Sequence, residues 1–208
     1  MPKTLFIAGT RRNAGKTLVS ELLLRSLPEI GAIKITCCHG ACPREVPCGV
    51  CGALKQPFAL VRDLQIINTP GKDTARLQAA TRGRVVWLQS KPKALAEGLA
   101  AALEVFKNAP AVLVEGNAAF QAARPDLGVL VIGPGPEPAK ASVKVALDFV
   151  AAVVLNTRPS FPPPEMPAGL PQNIRKFAFD AANPDANPEA KAFIEWIAGR
   201  LGLKISTH

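Results

Sequence analysis

Gly9-Thr10-Arg11-Arg12-Asn13-Ala14-Gly15-Lys16-Thr17 decides the fold of this chain. It comes after the apolar run Thr4-Leu5-Phe6-Ile7-Ala8, short and bounded by Gly as a buried strand is, and precedes residues 18–27, which read as a helix. Strand, Gly-rich turn and helix form the setting in which backbone N–H groups curl around a di- or triphosphate. In such a loop a lysine reaches the terminal phosphates and a hydroxyl completes a magnesium shell; Lys16 and Thr17 stand at those posts. The strict pattern asks for Gly where Thr10 stands, with Gly9 one step earlier, so the strand and helix on either side carry the reading as much as the pattern does. The plain alternative is a helix that happens to open with Gly-Lys-Thr.

The 208 residues suit one α/β domain, and a hydrophobic content of 48% supports a full core. No apolar run approaches the roughly 20 residues that span a bilayer, and no charged and apolar leader opens the chain. A cytoplasmic protein with no membrane partner is expected. The net charge of +9 admits anionic partners. Nucleic acid is not expected among them, because Tyr is absent, aromatic residues are 5% and the basic residues are scattered. A solvated basic surface is the plain alternative, from which Arg11 and Arg12 stand apart because they lie inside the loop.

Residues 28–31 break the helix, and Ala32-Ile33-Lys34-Ile35-Thr36 reads as a second strand. Parallel strands joined by helices end on one edge of the sheet, so the residues just after this strand face the loop. They form a cysteine cluster in an insertion over 37–57: Cys37, Cys38, His39, Cys42, Cys48 and Cys51, all five cysteines and one of the two histidines. Cys38 with Cys42, and Cys48 with Cys51, supply two ligand pairs in a loop with little core-forming material, which a metal would order. Zinc on four thiolates, with Cys37 or His39 as alternates, and an iron–sulfur cluster both fit. Reduced cysteines, or a redox dithiol at Cys48 and Cys51, are the metal-free alternative. Stable disulfides are not expected in a reducing compartment.

Residues 58–60 and Leu64-Gln65-Ile66-Ile67-Asn68 read as a strand pair or one interrupted strand, and 72–80 as a helix at whose start Asp73 either holds magnesium through water or caps or charges the first turn. Val85-Val86-Trp87-Leu88 is the next strand; Leu95, Leu99, Leu103 and Phe106 recur at helical spacing. Ala111-Val112-Leu113-Val114 ends in Glu115-Gly116. A carboxylate at the carboxyl end of a central strand, on the loop's edge, can orient magnesium or an attacking water; a solvated strand-end Glu is the alternative. Val129-Leu130-Val131-Ile132 is a strand, 140–149 a helix, and Ala152-Val153-Val154-Leu155 a strand ending in Asn156. The Asn156 amide offers a donor and an acceptor to a purine edge, or it begins a turn. A Pro-rich connection over 159–171, with polyproline at Pro162-Pro163-Pro164, leads to a strand at 174–179 and a closing helix at 189–201. The alternation predicts an α/β fold: a mostly parallel sheet with helices on both faces, one domain over 1–208.

These stretches together resemble the molybdopterin-guanine dinucleotide biosynthesis protein B family and, more broadly, the P-loop NTPases that include dethiobiotin synthetase and the nitrogenase iron protein. Gly9-Thr10 through Gly15-Lys16-Thr17 is similar to the loop of dethiobiotin synthetase. Pro70-Gly71-Lys72-Asp73-Thr74 with Arg76 resembles the first family's Pro-Gly-Lys-Asp-Ser segment, and Leu113-Val114-Glu115-Gly116 a Val-Glu-Gly common to the group. Cys37-Cys38-His39 stands where that family commonly has polar residues and His.

The resemblance implies a site for Mg2+ with GTP or ATP. Its phosphates would lie on residues 9–17 and Lys34, its metal on Thr17 and Glu115, with Lys16, Asp73 and Glu115 catalytic. It implies a homodimer working with a cofactor-biosynthesis partner protein. After residue 125 the chain looks more like dethiobiotin synthetase, where an Asn in the place of Asn156 contacts the nucleobase. Arg11 stands where the iron-protein branch carries a lysine that reaches across a dimer. The expected function is nucleotide hydrolysis coupled to molybdenum cofactor maturation. A nucleotide-gated carrier of a metal cluster, an ATP-dependent ligase using Lys34, and a plain adaptor are the alternatives.

Overall fold

The computed structural model describes residues 1–38, 53–135 and 139–206. Alternation along β1 (Lys3–Gly9) sets its architecture. From Leu5 to Ala8 every side chain is buried, Leu5 and Ile7 toward one helical layer, Phe6 and Ala8 toward the other. A strand covered on both faces reads as a continuous apolar run, which is why this one is legible in the sequence.

Numbered along the chain, the strands form one eight-stranded sheet among the described residues. Its order is β3 (Phe58–Val61), β4 (Val85–Ser90), β2 (Gly31–Cys37), β5 (Ala111–Glu115), β1, β6 (Leu127–Ile132), β7 (Val150–Asn156) and β8 (Arg175–Phe179). Every neighbouring pair is parallel except β3 with β4, which is antiparallel. The mostly parallel α/β sheet expected from the alternation is the one the chain forms.

One layer holds α1 (Lys16–Ser26), α3 (Asp73–Ala80) and α7 (Pro188–Leu201), which bring Leu23, Leu77, Phe193 and Ile197 onto Leu5, Ile7 and Val154. The other holds α4 (Leu95–Glu104), α5 (Ala119–Ala122) and α6 (Lys144–Leu147), with Leu99, Phe120 and Ala146 on Phe6, Val114 and Leu130. Burial of each large apolar side chain contributes about 1.5–3 kcal/mol. The last helix is bounded by its own sequence: Asn187 accepts from the Glu189 N–H, Pro188 fills the first turn, and Gly202 (φ 67) closes it. Its Phe193 meets Phe177 edge-on at 5.2 Å between ring centroids and so holds the outer strand β8.

Two elements differ from expectation. The apolar run after residue 63 is not strand but the single helical turn α2 (Leu64–Ile67), because Asp63 accepts from the Gln65 N–H at 2.9 Å and caps it. The helix expected over 140–149 is a 3-10 turn (Ala141–Val143) followed by the single turn of α6. Its start is tied down, since the Lys140 N–H donates to Thr10 O at 2.8 Å, and β7 begins at Val150, leaving no length for more. Residues 159–171 run without helix or strand, with Phe161 and Met166 exposed. Among the described residues no helix is long and apolar enough to cross a membrane.

The parallel strands end on one edge, which carries Gly9, Cys37, Ser90, Glu115, Ile132 and Asn156. At β1 the connections diverge: α1 leads past β5 to β2 on one side, whereas β5 leads to β6 on the other. Such a divergence opens a crevice outside the carboxyl ends.

Candidate functional site

The chain leaves β1 and enters α1 through two left-handed residues, Asn13 (φ 59) and Gly15 (φ 102). Turns of this kind aim successive N–H groups inward and make concavities that suit anions. Gly15 is the cap of α1; no side chain caps the helix and its first turn holds no acid. Lys16 occupies that turn instead, against the preference of a helix N-terminus for negative charge. Burial pushes its pKa down; Glu115 and Asp73 partly offset this, while Lys34 and Lys140 add to it.

Three side chains fix the loop. Asn117 grips Gly9 at both ends, its Oδ1 accepting from Gly9 N and its Nδ2 donating to Gly9 O, each at 2.9 Å; Nδ2 also donates to Ser142 Oγ. Asn156, fully buried, donates from Nδ2 to Ala14 O and accepts at Oδ1 from Ala181 N–H, both at 3.0 Å. Arg11 is buried and donates to Gly133 O (3.1 Å) and Gly135 O (2.6 Å), which ties the loop to the segment after β6. The backbones approach closely: a Cβ on Gly133 would lie 2.7 Å from Ala14 Cα.

Asn156 therefore differs from expectation. Its amide faces the loop backbone and leaves no open edge to read a base. Beside it, beyond the ends of β7 and β8, lies a groove of about 550 Å³ lined by Thr157, Arg158, Phe161, Pro163, Asp180 and Asn187. Arg11 points to the β6 side, whereas Arg12 is exposed.

The charged centre arises from the register. Lys34 pairs with Glu115, and Ile7 with Glu115, across neighbouring parallel strands. Period two puts Lys34 on the face of Ala32, and Glu115 on the face of Leu113, the layer that holds α1 and α3. Those helices begin at the same edge and supply Thr17 and Asp73. Lys34 Nζ donates to Asp73 Oδ2 at 2.6 Å and to Glu115 Oε1 at 2.5 Å, and Thr17 Oγ1 donates to the same Oε1 at 3.1 Å.

Burial opposes the Lys34 charge, yet Glu115 and Asp73 hold its pKa above the usual lysine value. Burial likewise raises Asp73, but Lys34, Thr17 and Lys16 together outweigh it and the carboxyl lies below the usual range. Asp73 is the first residue of α3 rather than its cap, which is Lys72, so it charges the first turn and pairs with Lys34 at once. Glu115 is fully buried, and among the described residues its Oε2 has no hydrogen-bond partner.

Two carboxylates and a hydroxyl are hard oxygen donors of the type magnesium takes, and the unpartnered Oε2 fits that use. Among the described residues no group of three or more His, Cys, Asp and Glu side chains is gathered. A magnesium ion here would complete its shell from ligand oxygens and water. Cys37, at the end of β2, has its thiol pKa pushed up by burial and by Cys38. His39, Cys42, Cys48 and Cys51 lie outside the described residues, and with them the zinc or iron–sulfur expectation.

Asn117, Ser142 and Lys140 are functional candidates that the sequence does not single out. Asn117 has a signal, since it comes directly after Glu115-Gly116 in the turn off the same strand; Lys140 has none. Compared with models of known protein families and with curated proteins, the chain matches none.

Proposed function

We propose that the chain binds a magnesium nucleoside triphosphate, GTP or ATP, at the edge around β1 and hydrolyses its terminal phosphate in the service of cofactor maturation, as in the molybdenum-cofactor accessory proteins it resembles. One observation carries the reading. The N-terminus of α1 presents a partly buried lysine and a hydroxyl, with no acid in its first turn, next to Asp73 and a fully buried Glu115. A helix start arranged for its own stability would carry the reverse charge.

Lys16 and the N–H groups of residues 13–17 hold the phosphates, with Lys140 on the same side. Thr17, Asp73 and Glu115 would hold magnesium, which supplies charge neutralisation on the phosphate oxygens. Glu115 Oε2 is the acceptor that can orient an attacking water. The groove beside Asp180 is the place for a base, in place of Asn156. The same proposal includes the homodimer and the partner protein.

Replacing Lys16 by Ala is expected to weaken binding of both Mg-ATP and Mg-GTP at least ~100-fold in calorimetric titration, since a desolvated charge contact to phosphate is lost. Binding equal to that of the native chain would overturn the assignment. Lys34, an ammonium held at the phosphate edge, keeps the ligase reading alive; turnover that rises only with a diamino acid-type substrate would favour it.

A further inference from the structure

Lys34 lies at the point where the oxygens of the site converge. Its Nζ is 2.5 Å from Glu115 Oε1 and 2.6 Å from Asp73 Oδ2, and Thr17 Oγ1 meets the same Glu115 oxygen at 3.1 Å. Thr17, Asp73 and Glu115 are the side chains that would hold magnesium. An ammonium and a divalent cation cannot both sit on one carboxylate oxygen in a buried site without strong repulsion, because the low polarity around Glu115 screens little.

Charge counting points the same way. Lys16 and Lys34 balance Asp73 and Glu115, so the four groups are neutral together; a divalent ion added alone would leave two net positive charges there. The added ion is tolerated only if Lys34 withdraws or if the ion arrives on a polyphosphate. Lys34 is on a strand, so its Cα is fixed by the register with Glu115 and Trp87, and only its side chain can move.

We propose that Lys34 is an internal counter-ion that holds the magnesium position in the nucleotide-free chain, so that bare divalent cations are refused and the metal enters only with its triphosphate, displacing the Lys34 ammonium toward the phosphates. The inference rests on the magnesium-nucleotide reading of this edge. It makes Lys34 a positioning residue that sets the order of binding, a role separate from the phosphate contacts of Lys16.

Mn2+ is the probe, followed by its electron paramagnetic resonance signal, with no nucleotide present. Lys34→Met and Lys34→Gln are expected to bind Mn2+ at least ~10-fold more tightly than the native chain, and Mn2+ alone is expected to raise their melting temperatures but not the native one. Equal Mn2+ affinity in native and variant chains overturns the proposal. A measurement on the native chain stands independently of how the variants fold. Acylation of Lys34 by acetic anhydride, mapped by mass spectrometry, is expected to be slow without ligand and to quicken with Mn2+ high enough to force entry. A rate that Mn2+ does not move also overturns it. Nucleotide binding by the native chain with Mg2+ is measured alongside; its absence would remove the nucleotide reading, whereas its presence with unchanged Mn2+ affinities removes the counter-ion alone.

Discussion

Lys16 stands partly buried at the positive end of α1, with Lys34 and Lys140 near and its pKa driven down chiefly by desolvation. A lysine whose folded pKa falls below its unfolded value of 10.5 destabilises the fold while charged, and the penalty fades as pH rises above the folded value. Exchange of Lys16 for Met, which keeps the stem that packs on Gly9, is therefore expected to raise the melting temperature of the nucleotide-free chain by about 2–4 °C, the shift that about 1 kcal/mol gives in a domain of this size. Differential scanning calorimetry checks it, and a fall in melting temperature would show that the ammonium is held by contacts that outweigh its burial. Stability given up at one residue in this way is what the proposed phosphate site would ask of Lys16.

Among the elements, two glycines separate the loop from the scaffold. Gly15 has φ 102, and a Cβ there would lie 2.5 Å from Asn156 Nδ2; Gly199, inside α7, has nothing within 4 Å of a Cβ. Gly15→Ala should cost about 2–4 kcal/mol, from left-handed strain plus loss of the Asn156 bond to Ala14. Gly199→Ala should stabilise by about 0.5–1 kcal/mol. Urea unfolding distinguishes them, and a neutral Gly15→Ala would mean that the loop yields freely.

Legibility in the sequence divides along the same line. Strands β1 and β5 are legible because burial on both faces makes an apolar run bounded by Gly and Pro, β7 by its apolar run alone, and Glu115 stands out because it ends such a run. The turn at Leu64–Ile67 is not, since three apolar residues among four look alike in a strand and in a helical turn; Asp63 is the local cue. Asn156 sits at a strand end as expected, but which way its amide faces depends on Ala14, a residue 142 positions away. Partners so distant leave no periodic trace.

For the molecule as a whole, the Lys34 and Asp73 pair sets a pH window. Asp73 has a folded pKa below its unfolded 3.8, so its contribution is present above that value and is lost as pH falls through the lower folded one. Lys34 has a folded pKa above 10.5, so its contribution is present below that value and is lost as pH rises through the higher folded one. Between these limits the pair is intact, and because Asp73 is half exposed its worth is that of a partly screened bridge. The melting temperature of Asp73→Asn should lie below the native one by a constant margin from about pH 6 to about pH 9, and the margin should shrink as pH falls below the unfolded value of 3.8. A margin that persists in acid would assign the loss to the α3 start rather than to the pair.

The central place of β1 has a consequence in time. Its partners are β5, where Lys3 meets Ala111, and β6, where Leu5 meets Leu127. A ribosome adding about 5–20 residues per second makes β1 first and its first neighbour on the order of 5–20 s later. Through that interval a strand buried on both faces in the finished fold has neither of its neighbouring strands. The two asparagines that grip the loop, Asn117 and Asn156, emerge later still. Residues 9–17, translated first among the elements of the site, wait for both of these partners.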